Sequence, residues 1–300
     1  MQVSKLHTLT GHMDCVYALA AGSPGTDIFS AAGDGMIVQW DLEFPENGQC
    51  IAKLPHSIYA LHYHNPTRHL IAGQNFEGLH LLDVEKHIEV ASLKITTSYI
   101  FDIQSYGNRI FVACGDGSVI VVDLAAWKVI KRISASDKSA RTIAINPVAG
   151  ELAVGYSDSR IRIFDWDDFS LKQEWLAHGN SVFAVAYAPG HAYLLSGSRD
   201  AHLKVWDTAH TGSPKADVVA HLFTINHIAF SPDGKHFVTC SMDKSIKVWG
   251  SADFNLLKVI DRGRHAGHAT SVNRMVWTSF HNQLVSASDD RTLSVWDITF

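Results

Sequence analysis

Ser196, His178 and Asp200 have the residue types of a nucleophile, a general base and an orienting acid. The same set recurs as Ser30, His12 and Asp34, as Thr239, His221 and Asp243, and as Ser286, His268 and Asp290. An active site is not normally built four times in one chain. A tryptophan follows each Ser or Thr by ten residues (Trp40, Trp206, Trp249, Trp296), and an indole N–H can only donate. The set therefore reads as a buried hydrogen-bond chain within a structural unit rather than as catalytic machinery. His62 and His64 lie on one face of a strand, a spacing that could hold a metal. No carboxylate or third His stands near them, and His62 takes a place held by Ala186 or Ala229 in other units, so packed or surface histidines are expected. Asp167-Asp168 and Asp289-Asp290 read as turn residues. There is no phosphate-binding glycine loop, dinucleotide fingerprint or nucleophile elbow. The expectation is a non-enzyme with no cofactor and no metal.

The repetition extends beyond these residues. The Trp-Asp pair of four units is replaced in three others by Leu82-Asp83, Val122-Asp123 and Phe164-Asp165, so the anchors fall at 40, 82, 122, 164, 206, 249 and 296. Seven units of roughly 40–45 residues have the spacing of four-stranded propeller blades. On these residues the chain resembles the WD-repeat family from about Leu6 to Phe300. The likeness is strong in units one, five, six and seven. Units two to four lack the His and Trp; Asp116 and Asp158 keep the turn Asp in units three and four, and Phe76 replaces it in unit two. The resemblance implies that Trp, Ser or Thr, His and Asp form one hydrogen-bonded tetrad in each strong unit.

Within each unit, short runs of alternating apolar and polar residues are bounded by Gly, Asp, Asn or Pro, which is the signature of strands and turns. Val182, Val185 and Tyr187 mark a first strand, Leu194–Gly197 a second, Leu203 to Trp206 a third and Lys215–Val219 a fourth. Helical periodicity is absent, and the one larger insertion is Asp261–Gly267. The sequence stops at Phe300, after the third strand of unit seven, while Val3–Leu9 stands before His12 as every fourth strand stands before its His. The expected fold is all-β: one domain over residues 1–300, a seven-bladed β-propeller of four-stranded antiparallel blades, its ring closed by the N-terminal strand at residues 3–10.

Composition narrows the partner class. Apolar residues make up 46% of the chain, enough for a large core, and the net charge is −5 with Lys and Arg scattered singly. A nucleic-acid groove would need a basic stripe. No apolar run is long enough to span a membrane, and Met1 to Gly11 has no apolar segment of a secretory signal. Cys15, Cys50, Cys114 and Cys240 are far apart and form no CxxC pair; buried thiols in a reducing, cytoplasmic setting are expected.

The resemblance also implies where a partner would sit. The residue after the aliphatic anchor of each first strand would line the mouth of the central channel on one face: Tyr17, Tyr59, Phe101, Arg141, Phe183, Asn226 and Asn273. Four of the seven are aromatic and one is Arg, the residue types of protein hot spots. A second set precedes the turn Asp and includes Arg199, Met242, Asp289 and, in unit two, Asn75. A third precedes the anchor, from Cys15 to Ser271. Packing of the aromatics between neighbouring blades is the competing explanation. The expected function is a protein-interaction scaffold that binds a peptide or protein segment at this mouth, a monomeric propeller that acts alone or within a larger complex. The alternatives are an enzyme with a channel active site, and a structural subunit that uses its blade edges. The aromatics could take a partner Lys or Arg, and Arg141 and Arg199 a partner carboxylate.

Overall fold

The computed structural model describes residues 1–23, 25–209 and 212–300. The strands assort into seven antiparallel sheets of four, and within six of them the strands follow chain order. In the seventh, Gln2–Thr10 pairs with Thr292–Thr299, so the first and last strands of the chain share one blade. The expected closing strand is present, one residue longer at its start than residues 3–10. It contributes Leu9, 2% exposed, to the core of that blade beside Leu293 and Val295. The seven blades of four antiparallel strands are those of a seven-bladed propeller.

The chain divides into two compact units, Met1–Thr97 with Ala229–Phe300, and Ser98–Ile228. The first unit contains blades one, two and seven and most of blade six. The second contains blades three, four and five and the start of the strand Ile225–Phe230. In the second unit, residues of the first, second and third strands of each blade pack on the next blade. Phe111, Val121, Ile143, Val154 and Tyr156 form one such layer, and Ile161, Val182, Val185 and Trp206 another. Such burial of branched and aromatic side chains on both sheet faces is what stabilises a blade with only one outer strand in water.

The hairpins between second and third strands are built alike. Asp34, Asp116, Asp158, Asp200, Asp243 and Asp290 each accept, through Oδ1, the backbone N–H two residues on, at 2.8–3.1 Å. This Asx turn lets the next residue take a left-handed conformation, seen at Gly35, Gly117, Ser159, Ala201, Lys244 and Arg291. In blade two the hairpin has the same length, but the left-handed residue is Phe76 itself, one position earlier. Without an Asp carboxylate to hold the usual turn, the chain shifts the bend.

Two expectations need correction. The insertion at Asp261–Gly267 contains one helical turn, Arg262–His265, where no helix was expected; four residues are too few to show a period. Asp261 caps it by accepting the Arg264 N–H at 2.9 Å, and Lys5 Nζ donates to Ala266 O at 3.0 Å. Of the four thiols, Cys114 and Cys240 are buried, whereas Cys15 is half-buried and Cys50 exposed, because Cys50 lies on an outer strand with no further blade beyond it. All four are free.

Candidate functional site

The tetrads form as hydrogen-bond chains. In blade five, Trp206 Nε1 donates to Ser196 Oγ at 2.8 Å, Ser196 Oγ lies 2.7 Å from His178 Nε2, and His178 Nδ1 lies 3.1 Å from Asp200 Oδ2. A carboxylate only accepts, so Nδ1 carries the proton and Nε2 accepts from the Ser hydroxyl. Blade seven repeats this with Trp296, Ser286, His268 and Asp290 at 2.8, 2.8 and 2.9 Å. In blade one, Trp40 and His12 both meet Ser30 Oγ at 2.8 Å, but His12 Nδ1 stands 3.4 Å from Asp34 without hydrogen-bond geometry. In blade six, Trp249 donates to Thr239 at 2.9 Å.

Burial depresses the imidazole pKa of His178 and of His12, although Asp200 and Asp34 pull the other way. Burial would raise Asp200, but the hydrogen bond and charge of His178 and the N–H groups of His202 and Gly179 hold it well below the usual carboxylate range. Ser30, Ser196, Thr239 and Ser286 are each 0% exposed, so no substrate reaches their hydroxyls. Blade four, lacking the His, uses Ser136 in its place. Ser136 Oγ donates to Asp158 at 2.8 Å, and the buried Arg162 ties Asp158 at 2.8 Å and Glu174 at 2.5 Å while lying 4.5 Å over the Tyr156 ring. His64 Nδ1 meets Thr67 Oγ1 at 2.8 Å, and no cluster of three or more metal-ligating side chains exists among the described residues.

The expected binding residues share one structural position. Tyr17, Tyr59, Phe101, Arg141, Phe183 and Asn273 are each the extra residue of a β-bulge near the start of a first strand. A bulge leaves one residue out of the ladder and re-aims its side chain. Except at Asn273, where Arg274 is half-buried, the neighbours on both sides are buried, as with Ile100 and Asp102 (0% and 2%) and Val182 and Ala184 (0% and 2%), while the bulged residue stays half-exposed. The bulge is pinned on its far side by one repeated bond. The N–H of Gly33, Asn75, Gly115, Ser157, Arg199 and Asp289 donates to the carbonyl of Cys15, Ser57, Tyr99, Ser139, Ser181 and Ser271 respectively. Tyr59 and Asn75 thus occupy the positions assigned to them in unit two. Asn226 is half-buried at the corresponding place in Ile225–Phe230, and Met242 is 56% exposed before Asp243.

In the second unit, three of these side chains make one stack. The Arg141 guanidinium lies 4.1 Å over the Phe101 ring and 4.8 Å over the Phe183 ring. Its Nε donates to Ser157 Oγ at 2.9 Å, and Tyr99 stacks on Phe101 with centroids 5.7 Å apart. Burial, and next the neighbouring Arg199, press the Arg141 pKa below its ordinary value. The strands that carry the stack are cross-linked directly behind it: Asp102 Oδ2 accepts the Ile143 N–H at 2.9 Å, and Thr142 Oγ1 accepts the Val185 N–H at 3.3 Å. The expected slot for a partner cation between these rings is therefore filled by Arg141, because blade order brings its long side chain between the two aromatic neighbours.

The first unit gathers a different group. Tyr17 and Tyr59 meet edge to face with centroids 4.6 Å apart. Asn273 Nδ2 donates to Val16 O at 3.0 Å and Asp289 Oδ1 at 2.7 Å, and Ser271 Oγ donates to Asn273 Oδ1 at 3.0 Å. Burial first, then the Cys15 thiol, pushes the Tyr17 phenol up. Sequence reasoning missed Leu222 and Phe223, 81% and 57% exposed in the loop that follows His221. The signal was available: the other strong units carry Met13-Asp14, Gly179-Asn180 and Ala269-Thr270 there, and only this one has two large apolar residues.

The profile described as "WD domain, G-beta repeat" matches residues 3–41, 169–207, 212–250 and 261–297. The chain is 23% identical over 224 residues to the periodic tryptophan protein 2 homolog of Mus musculus, covering 67% of this chain and 24% of that protein. It is 23% identical over 210 residues to protein groucho of Drosophila melanogaster, covering 67% and 28%. Over 91 residues it is 30% identical to the pre-mRNA-splicing factor PRP46 of Candida albicans, covering 30% and 23%. The match spans about a quarter of the length of each of these relatives.

Proposed function

Because the chain belongs to the WD40 repeat family, whose profile matches more than half of it, we propose that it is a non-enzymatic platform that binds a peptide or protein segment on the face of its second unit where the bulged Phe101, Arg141 and Phe183 gather. The observation that carries this is the stack of Phe101, Arg141 and Phe183, three half-exposed hot-spot residue types held at fixed positions by the core beneath them. Tyr99 (42% exposed), Leu222 and Phe223 extend the aromatic and apolar surface of this unit. Four cysteines far apart in the chain, with no CxxC pair, fit a reducing compartment, and we place the protein in the cytoplasm with protein or peptide as its partner rather than nucleic acid or membrane. Among the described residues no helix is long and apolar enough to cross a membrane.

The test is affinity capture from the source cell with wild-type protein and with the Phe101→Ala/Phe183→Ala double variant, its fold verified by circular dichroism. Loss of a partner captured by wild type is expected. A folded double variant that keeps every partner at wild-type affinity would refute the assignment. A second reading, a subunit that docks through its outer strands, is favoured by Val129 and Ile130, 38% and 43% exposed on the strand Lys128–Ser134. It predicts capture lost by Val129→Lys/Ile130→Lys instead.

A further inference from the structure

We infer that the peptide bound on this face is acidic, and that Arg141 and Arg199 read one of its carboxylates. The inference rests on the binding face proposed above and identifies the partner's chemistry. Arg162, buried in the same unit, pairs with both Asp158 and Glu174. Arg160 pairs with Glu174, and Arg109 with Asp167. Arg141 and Arg199 differ: among the described residues neither has a carboxylate within ion-pair distance, and a short chain of bonds links them, since Ser157 Oγ accepts the Arg141 Nε–H, Ser157 O accepts the Ser181 hydroxyl, and Ser181 O accepts the Arg199 N–H. Several acids of the same unit have partners of their own. Asp116 accepts from Ser118, Asp137 faces Lys138, Asp158 faces Arg162, and Asp200 holds His178. The protein as a whole has more acidic than basic residues, 30 against 25, so two adjacent uncompensated arginines run against its average.

The geometry selects the ligand. The Arg141 guanidinium lies 4.1 Å over the Phe101 ring and 4.8 Å over the Phe183 ring, and a carboxylate would pair with its N–H edge rather than with a face turned to a ring. Nε is spent on Ser157, which leaves the two terminal nitrogens. Their in-plane N–H groups match the two oxygens of a carboxylate. The stacked rings fix the fork before binding, so little rotamer entropy is lost when the pair forms. Arg199, exposed at the adjoining hairpin, adds the second positive charge.

The experiment uses the full chain and four pools of C-terminally amidated peptides. Their central residue is fixed as Glu, Gln, Lys or phosphoserine and their flanks are random. Affinity is read by fluorescence anisotropy at physiological salt. The Glu pool is expected to bind about tenfold or more tighter than the Gln pool, and the Lys pool weaker than both. Arg141→Gln should remove that preference, and Arg199→Gln should reduce it. Arg141→Lys should lose most of it despite keeping the charge, since an ammonium lacks the fork. Circular dichroism checks each variant, and Arg199, on the surface, supplies a variant that tests the inference without touching the stack. Equal binding of the Glu and Gln pools that is lost in Phe101→Ala/Phe183→Ala would overturn the acidic partner and leave the binding face standing. Binding confined to the phosphoserine pool would overturn the carboxylate in favour of phosphate. Absence of binding by every pool would overturn the acidic peptide, while capture by the aromatic face in the lysate experiment would still stand or fall separately.

Discussion

Replacing His178 by Ala is expected to destabilise the protein by about 3 kcal/mol. His178 is 3% exposed and bonds Ser196 at 2.7 Å and Asp200 at 3.1 Å. Neither partner is orphaned completely, since Trp206 still donates to Ser196 and the His202 and Gly179 N–H groups still reach Asp200. Each lost bond therefore costs near the low end of the range for a buried group, about 1 kcal/mol. The void left by the imidazole contributes on the order of another 1 kcal/mol. For 300 residues the unfolding entropy is roughly 0.6 kcal/mol/K, so the melting temperature should fall by about 5 °C. His56→Ala is the control. His56 is exposed and meets the Phe76 ring edge to face, with centroids 6.0 Å apart, so its loss should stay within about 0.5 kcal/mol. Chemical denaturation and calorimetry of the two variants read the difference. Equal effects would refute the tetrad as a stabilising network, and a His178→Ala protein as stable as wild type would do the same.

Acid should weaken the fold in two stages. His12 and His178 have depressed pKa values in the folded state, so the unfolded chain binds more protons as pH falls below about 6.5. Stability present above that pH is lost from there down to the folded pKa values. Asp200 and Asp290, also depressed, add a further loss below about pH 4. Melting temperatures at stepped pH check this, and His178→Ala should flatten the first stage; a flat wild-type profile from pH 7 to 5 would contradict the assignment. Removing Met1–Thr10 should bare the edge of Thr292–Thr299 and the core beside Leu9 and Val295, lowering the melting temperature and promoting association; an unchanged melt and a monomer by light scattering would refute closure by that strand. Trp206→Phe should cost about 1 kcal/mol through the lost donor to Ser196, read by the same denaturation assay. The closed array should melt in one transition by calorimetry, and two separate transitions would show that it is not one cooperative domain.

The sequence alone determined the blade count, the strand order and the tetrads. Each rests on residues that recur at fixed offsets: Trp206 against Ser196 and Asp200, and Trp296 against Ser286 and Asp290. A repeat reports itself because every copy must bury the same face against its neighbour. It also located the bulged positions, since these stand one residue after each aliphatic anchor. It did not show that they are bulges, because an extra residue in a ladder is defined only by the strand paired with it. Tyr59 shows this: the pairing of Ile58 with Gln74 and of Ala60 with Gly73 settles a register the local residues left open. The burial of Cys114 against the exposure of Cys50 depended on which strand lay outermost. The charge chemistry of the face was decided only in three dimensions. Phe101, Arg141 and Phe183 are separated by about forty residues in the chain and meet because their strands lie side by side. The order of the repeats already puts Arg141 between Phe101 and Phe183, but whether the aromatic pair offers itself to a partner's cation or holds one of its own depends on the contact, which only the packed strands decide.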